Sequence, residues 1–221
     1  MSDTKDEMAM QSVSRPRRGL YLVTPERDDS RSLLDDAAAA LRGGAVLVQY
    51  RNKSMDHALR HDQAVALNAL CLAHRVPLLI NDDIDLASAV GAAGVHLGEH
   101  DATIGVARAR LGEGAIIGIS CYDDIRRARQ AAAAGANYVA FGAFHPSTNK
   151  PDARRADRAL LRDARALGLP CVAIGGITPQ NAGPLIEAGA DMIAVISAVF
   201  DSRDVEATAR HFSHLFETSA P

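Results

Sequence analysis

Residues 91–101 read GAAGVHLGEHD, and this stretch holds the repeating unit that decides the fold. Gly91 closes the segment before it, and GVHL (94–97) has the length of a buried strand. The polar tail GEHD (98–101) stands at the C-terminal end of that strand. A short run bounded in this way fits a parallel strand covered on both faces.

Outward from this unit, the same junction returns. LRGGAVLV (41–48), AAGANYVAFG (133–142) and EAGADMIAV (187–195) each end a helix at glycine and re-enter a strand within a few residues. Short connections of this kind are expected between successive βα units. Further runs carry polar or glycine-rich tails: VLVQYRNK (46–53), PLLINDD (77–83), IIGISCYDD (116–124), YVAFGAFHPSTNK (138–150), CVAIGGIT (171–178) and MIAVISA (192–198).

The spacing predicts strands over 19–24, 46–49, 78–81, 94–97, 115–119, 137–142, 171–174 and 191–196. Helices are predicted over 32–44, 54–75, 84–92, 102–111, 123–134, 155–167, 179–187 and 204–217. Such strict alternation over about 200 residues implies an α/β protein, a (β/α)8 TIM barrel. An open doubly wound sheet is the alternative, but it usually has fewer strands. One catalytic domain is expected over 19–221, behind a disordered polar tail at 1–18.

The 221 residues carry a net charge of −3 and 4% aromatic residues, which leaves no basic footprint and few stacking platforms for nucleic acid. No apolar stretch approaches the ~18 residues of a membrane span. The N-terminal MSDTKDEMAMQSVSRPRR lacks the apolar segment of a secretory signal. Cys71, Cys121 and Cys171 are odd in number and show no CxxC, which reads as buried thiols in a reducing cytoplasm. A homo-oligomer is left open.

In a barrel, the polar tails collect on the face at the C-terminal strand ends, where active sites form. Asp82 and Asp83 follow Asn81 after the third strand, and Glu99 and Asp101 follow the fourth. With adjacent strands ~4.8 Å apart, Asp82 and Asp101 can reach one ion, and Mg²⁺ accepts two carboxylates with phosphate oxygens and waters. An aspartate after a strand equally serves to cap the next helix.

Gln49, Arg51 and Lys53 alternate after the second strand and project the same way if the chain stays extended. Lys150 ends the loop HPSTNK, with Ser147, Thr148 and Asn149 before it. Either cluster taken singly also suits a solvated loop. The amides of GGIT (175–178) and ISA (196–198) precede helices after the seventh and eighth strands, where barrels frequently hold a phosphate. His57, His61, His211 and His214 have the spacing of solvated helix faces, and His96 reads as a core residue. His100 and His145 lie in strand-end loops. No P-loop, GxGxxG or Ser/His/Asp set appears. The inventory thus holds a cationic, metal-assisted site suited to a diphosphate and an amide nest suited to a monophosphate. Transfer between two phosphorylated small molecules follows.

The ordered set VQYRNK, LINDD, GVHLGEHD, GISCYD, FGAFHPSTNKPDA, AIGGIT and VISA resembles the thiamine-phosphate synthase family over residues 19 to 200 or so. The resemblance implies an Mg²⁺-dependent transferase. It joins the hydroxymethylpyrimidine group of a pyrimidine diphosphate to thiazole phosphate, giving thiamine phosphate and diphosphate. It also implies that Gln49, Tyr50, Arg51, Asn52, Lys53, Asn81, Ser120 and Lys150 bind the pyrimidine diphosphate. Arg51, Lys53, Ser120 and Lys150 would act in catalysis, and Asp82 and Asp101 would hold the metal. Ser147, Thr148, Asn149, Gly176, Ile196 and Ser197 would bind thiazole phosphate.

Tyr50, Asn52, Glu99, Ser147 and Asn149 depart from the family pattern, and Glu99 adds a negative charge near the expected metal. Two rivals stand against this reading. A thiazole tautomerase of related fold would want a histidine base after the fifth strand, where this chain has Cys121 and Tyr122. A non-catalytic phosphate-binding barrel would not need a metal pair.

Overall fold

An aspartate or a threonine caps the start of each of the first five helices. The computed structural model describes residues 16–146 and 154–218. Strand β1 (Gly19–Val23) leads to helix α1 (Ser30–Arg42), whose first amides are capped by the Asp29 carboxylate. Asp56 caps α2 (His57–Ala73) after β2 (Leu47–Tyr50), and Asp83 caps α3 (Ile84–Val90) after β3 (Leu78–Asn81). Thr103 caps α4 (Ile104–Leu111) after β4 (Gly94–Leu97), and Asp124 caps α5 (Ile125–Ala133) after β5 (Ile116–Tyr122). Each side-chain oxygen accepts from an amide that the helix itself leaves without a partner.

The second half follows the same order. Strand β6 (Tyr138–Phe141) precedes α6 (Ala159–Ala164), and β7 (Cys171–Ile174) precedes α7 (Pro179–Ala188). Strand β8 (Met192–Val195) runs into α8 (Ser197–Phe200), and α9 (Val205–Thr218) closes the described chain. All strands pair in parallel, and β8 returns to β1, so the sheet closes into the expected eight-stranded barrel.

Differences from the predicted boundaries have local causes. The helix predicted over 155–167 is α6 followed by a 3₁₀ turn at Arg165–Leu167, with no side-chain cap at its start. Strand β5 runs past residue 119 to Tyr122 through a bulge between Ser120 and Tyr122. Helix α8 was not predicted, because four residues are too few to show a 3.6-residue period. The tail expected over 1–18 lies, up to residue 15, outside the described residues.

Two apolar layers hold the barrel. Alternate strand residues fill its interior, among them Tyr21, Leu47, Leu79, Ile116, Val172 and Met192. The opposite faces pack on the helices through Leu20, Leu22, Val48, Leu67, Ile117, Val139 and Phe212. Fully burying one such aliphatic side chain contributes about 1.5–3 kcal/mol. Gly118 makes room in the inner layer, since a Cβ there would lie 1.9 Å from the Tyr138 ring. Cys71, Cys121 and Cys171 are free and buried, and burial pushes each thiol up to about 12. Among the described residues, no helix is long and apolar enough to cross a membrane.

Candidate active site

Strand alternation sorts the VQYRNK segment into two faces. Gln49 points into the barrel, where its amide meets Tyr21 and Asn81. Tyr50 points the other way, and its hydroxyl donates to Gln63 Oε1 on α2 at 2.8 Å. Asn52 also turns to Gln63, at 3.1 Å, and its Oδ1 accepts from Ser54 N. The side chains of Tyr50 and Asn52 are thus both engaged with Gln63 on α2, which leaves their backbone in the segment from Gln49 to Lys53. Burial pushes the Tyr50 phenol up to about 12, as suits a structural hydroxyl.

Arg51 and Lys53 do reach the strand-end face. Arg51 Nη1 lies 2.9 Å from Glu26 Oε1, and its backbone amide is held by Thr24 Oγ1 at 2.9 Å. Lys53 Nζ lies 3.9 Å from Asp82 Oδ2.

Neighbouring aspartates take different jobs. Asp83 Oδ1 caps α3 by accepting from Leu86 N, while its Oδ2 meets Arg60 Nη2 at 2.6 Å. Asp82 has no such task. Its backbone is left-handed at φ 63, and its amide donates to His96 O on the next strand at 2.9 Å. Asp101 is held by Gly98 N, which donates to its Oδ2 at 2.6 Å.

The Asp82 and Asp101 carboxyl groups lie side by side. Burial, followed by the Asp101 group, pushes the Asp82 carboxyl up to about 6, against the opposing effects of Lys53 and the Asn81 amide. Two crowded carboxylates invite a divalent cation, whose charge relieves the repulsion that raises Asp82. Among the described residues, no group of three or more His, Cys, Asp or Glu side chains gathers to hold a metal. The donor set thus fits a hard ion that completes its shell from phosphate oxygens and water.

Glu99 does not join this pair. Its Oε2 meets Arg154 Nη2 at 2.8 Å, and the Arg154 guanidinium lies 4.7 Å from the centre of the Tyr122 ring. Arg154 also lies 3.8 Å from Asp123. The extra charge expected near the metal is taken up by an arginine that the sequence analysis did not single out.

A chain of hydrogen bonds crosses the barrel beneath these groups. Gln49 Nε2 donates to Asn81 Oδ1 at 2.6 Å, and Tyr21 Oη donates to Gln49 Oε1 at 2.6 Å. The Tyr21 and Tyr138 hydroxyls lie 2.8 Å apart. His96 then bridges Tyr138 Oη and Ser120 Oγ, at 2.8 Å on each ring nitrogen. Burial pushes the His96 imidazole down to about 4. The expectation of a core histidine holds for its burial and misses its polar role. Tyr21 and Tyr138 were missed too; the alternation that points Gln49 inward was the available signal.

On the other side, β7 and β8 lie next to one another and end close to helix starts. Gly176 has φ 60, and a Cβ on it would lie 2.2 Å from Pro146 O, so only glycine lets the two loops cross. Asn181 secures the turn: its Oδ1 accepts from Thr178 N at 2.8 Å and its Nδ2 donates to Gly176 O at 3.1 Å. Ile196 immediately precedes α8, and Ser197 opens it as an exposed residue. Ser147, Thr148, Asn149 and Lys150 lie outside the described residues.

With this geometry in hand, comparison with known proteins becomes specific. Residues 20–199 match the family model described as thiamine monophosphate synthase. The chain belongs to the thiamine monophosphate synthase family. It is 57% identical over 195 residues to thiamine-phosphate synthase of Xanthomonas campestris pv. campestris, covering 88% of this chain and 94% of that one. It is 54% identical over 201 residues to the enzyme of the same name from Methylobacillus flagellatus, covering 91% of this chain and 96% of that one. Among solved structures, thiamine phosphate pyrophosphorylase from Pyrococcus furiosus superposes with a TM-score of 0.81 at 31% identity, covering 95% of this chain and 98% of that one.

Within the thiamine monophosphate synthase family, the departures at Tyr50, Asn52 and Glu99 gain a physical account. Tyr50 and Asn52 are tied to Gln63, and Glu99 is tied to Arg154. None of the three takes a position that Asp82, Asp101, Arg51 or Lys53 occupies.

Proposed function

We propose that this chain is an Mg²⁺-dependent thiamine-phosphate synthase. It transfers the 4-amino-2-methyl-5-pyrimidinylmethyl group from its diphosphate to thiazole phosphate, releasing diphosphate. The observation that carries this reading is the Asp82 and Asp101 pair at the ends of β3 and β4, with Lys53 beside it.

When bound between these carboxylates, Mg²⁺ supplies positive charge that offsets the charge developing on the departing diphosphate. Lys53 and Arg51 add fixed cations on the same side, Lys as a point charge and Arg as a bidentate donor. Gln49, Asn81 and Ser120 orient the pyrimidine, and Lys150 is a fourth contact for the diphosphate. The thiazole phosphate is held by Ser147, Thr148 and Asn149, by the Gly176 turn and by the start of α8 at Ile196 and Ser197. Its ring nitrogen attacks with a lone pair already free, so no general base is required. Holding the two rings close converts a bimolecular encounter into an intramolecular one.

Purified protein supplied with both substrates and Mg²⁺ is expected to form thiamine phosphate and diphosphate, and chelation is expected to stop it. Turnover that persists after exhaustive chelation removes the metal from the proposal. No product under any metal condition removes the reaction itself.

A further inference from the structure

Four side chains, Gln49, Tyr21, Tyr138 and His96, join Asn81 to Ser120 through consecutive hydrogen bonds of 2.6, 2.6, 2.8, 2.8 and 2.8 Å. A phenol has one proton to give, and a neutral imidazole donates from one nitrogen and accepts at the other. The protons in such a chain therefore all run in one direction.

The Gln49 amide sets that direction, with Nε2 toward Asn81 Oδ1 and Oε1 toward the Tyr21 hydroxyl. Gln49 gives its Nε2 proton to Asn81 Oδ1, and its Oε1 takes the Tyr21 proton. Tyr21, its own proton spent, accepts from Tyr138. Tyr138 then accepts from His96, which fixes the imidazole proton on Nδ1. His96 Nε2 is left bare and takes the Ser120 proton.

Packing keeps these rings in register independently of the protons. Tyr138 stacks on His96 with centroids 5.6 Å apart and meets Tyr21 edge-on at 5.9 Å. Gly118 leaves the space that the Tyr138 ring fills.

We infer that His96, locked as its Nδ1–H tautomer by the Tyr21–Tyr138 pair, is a positioning residue that turns the Ser120 hydroxyl into a pure acceptor toward substrate. This deepens the proposed function and rests on it. With its proton committed to His96, Ser120 offers only lone pairs, so it selects a substrate group that donates. The exocyclic amine is the one N–H donor on the pyrimidine ring of the proposed substrate. A ring carrying a carbonyl at that position would present an acceptor to an acceptor and lose the contact.

The tautomer is read by ¹⁵N NMR on the labelled full chain without substrate, with His96 assigned by difference against His96→Gln. A protonated Nδ1 and a bare Nε2 are expected, and an Nε2–H ring overturns the inference. This readout needs no turnover, so it fails or stands separately from the synthase reaction. Tyr138→Phe keeps the ring and removes the acceptor, and is expected to move the proton to Nε2. KM for the pyrimidine diphosphate should then rise about three- to tenfold, the range of one neutral hydrogen bond, with KM for thiazole phosphate unchanged. A moved proton with an unchanged KM overturns the role given to Ser120. If Tyr138→Phe does not fold, Tyr21→Phe carries the same test, because Tyr138 then turns its proton to His96 Nδ1.

Discussion

Asp82 carries a conformational cost at the proposed metal site. Its left-handed backbone is a conformation that aspartate and asparagine tolerate and β-branched residues do not. Asn is therefore the clean probe, whereas Ala adds about 1–2 kcal/mol of backbone strain. The Asp82 carboxyl is pushed up to about 6 in the folded chain, above the ordinary aspartate value near 3.9. A raised acid is stabilising in its protonated form, so this contribution is present below about pH 4 and lost as pH rises through 6. Asp82→Asn is expected to raise thermal stability of the metal-free protein at pH 8, with the gain fading below pH 5 in a pH series of melting curves. The same variant, still folded by circular dichroism, is expected to lose activity. Mg²⁺ affinity of the unaltered chain should fall as pH drops below 6, with proton release on binding seen by calorimetry in two buffers of different ionisation enthalpy.

At the scale of elements, caps and close approaches place the site. Asp83 begins α3 and thereby leaves Asp82 at the mouth of the barrel. Asp83→Ala is expected to cost about 1 kcal/mol from the lost cap, with a further loss from the Arg60 pair, read as a lower urea midpoint with unchanged slope. Gly118→Ala places a Cβ against the Tyr138 ring inside the barrel. Overpacking of this kind costs about 1–3 kcal/mol. It should also displace the hydrogen-bond chain, so activity is expected to fall further than stability alone explains. Equal losses in Gly118→Ala and in a remote variant of the same stability would count against that chain.

For the whole molecule, closure of β8 on β1 makes the barrel one cooperative body. Phe212 on α9 is fully buried in the layer between helices and barrel. Its replacement by Ala is expected to cost about 3–5 kcal/mol. Far- and near-ultraviolet circular dichroism should still report one coincident transition on urea unfolding.

Much of this protein was legible in its sequence. Glycine-terminated helices and short apolar runs specify eight βα units, because those signals are local and depend on backbone conformation and burial alone. The placement of Asp82, Asp101, Arg51 and Lys53 on the strand-end face was readable for the same reason: each follows a strand, and barrel topology gathers strand ends. What the tertiary structure decided lies between residues far apart in the chain. It turned Tyr50 and Asn52 onto Gln63, tied Glu99 to Arg154 and gave Asp83 to a helix cap while leaving Asp82 beside Asp101. It also aligned Tyr21, Tyr138 and His96 into a directed path from strand to strand. Periodicity gives the face on which a side chain stands. Which partner it meets there depends on register and on the space that neighbours leave, and those exist only once the barrel has closed.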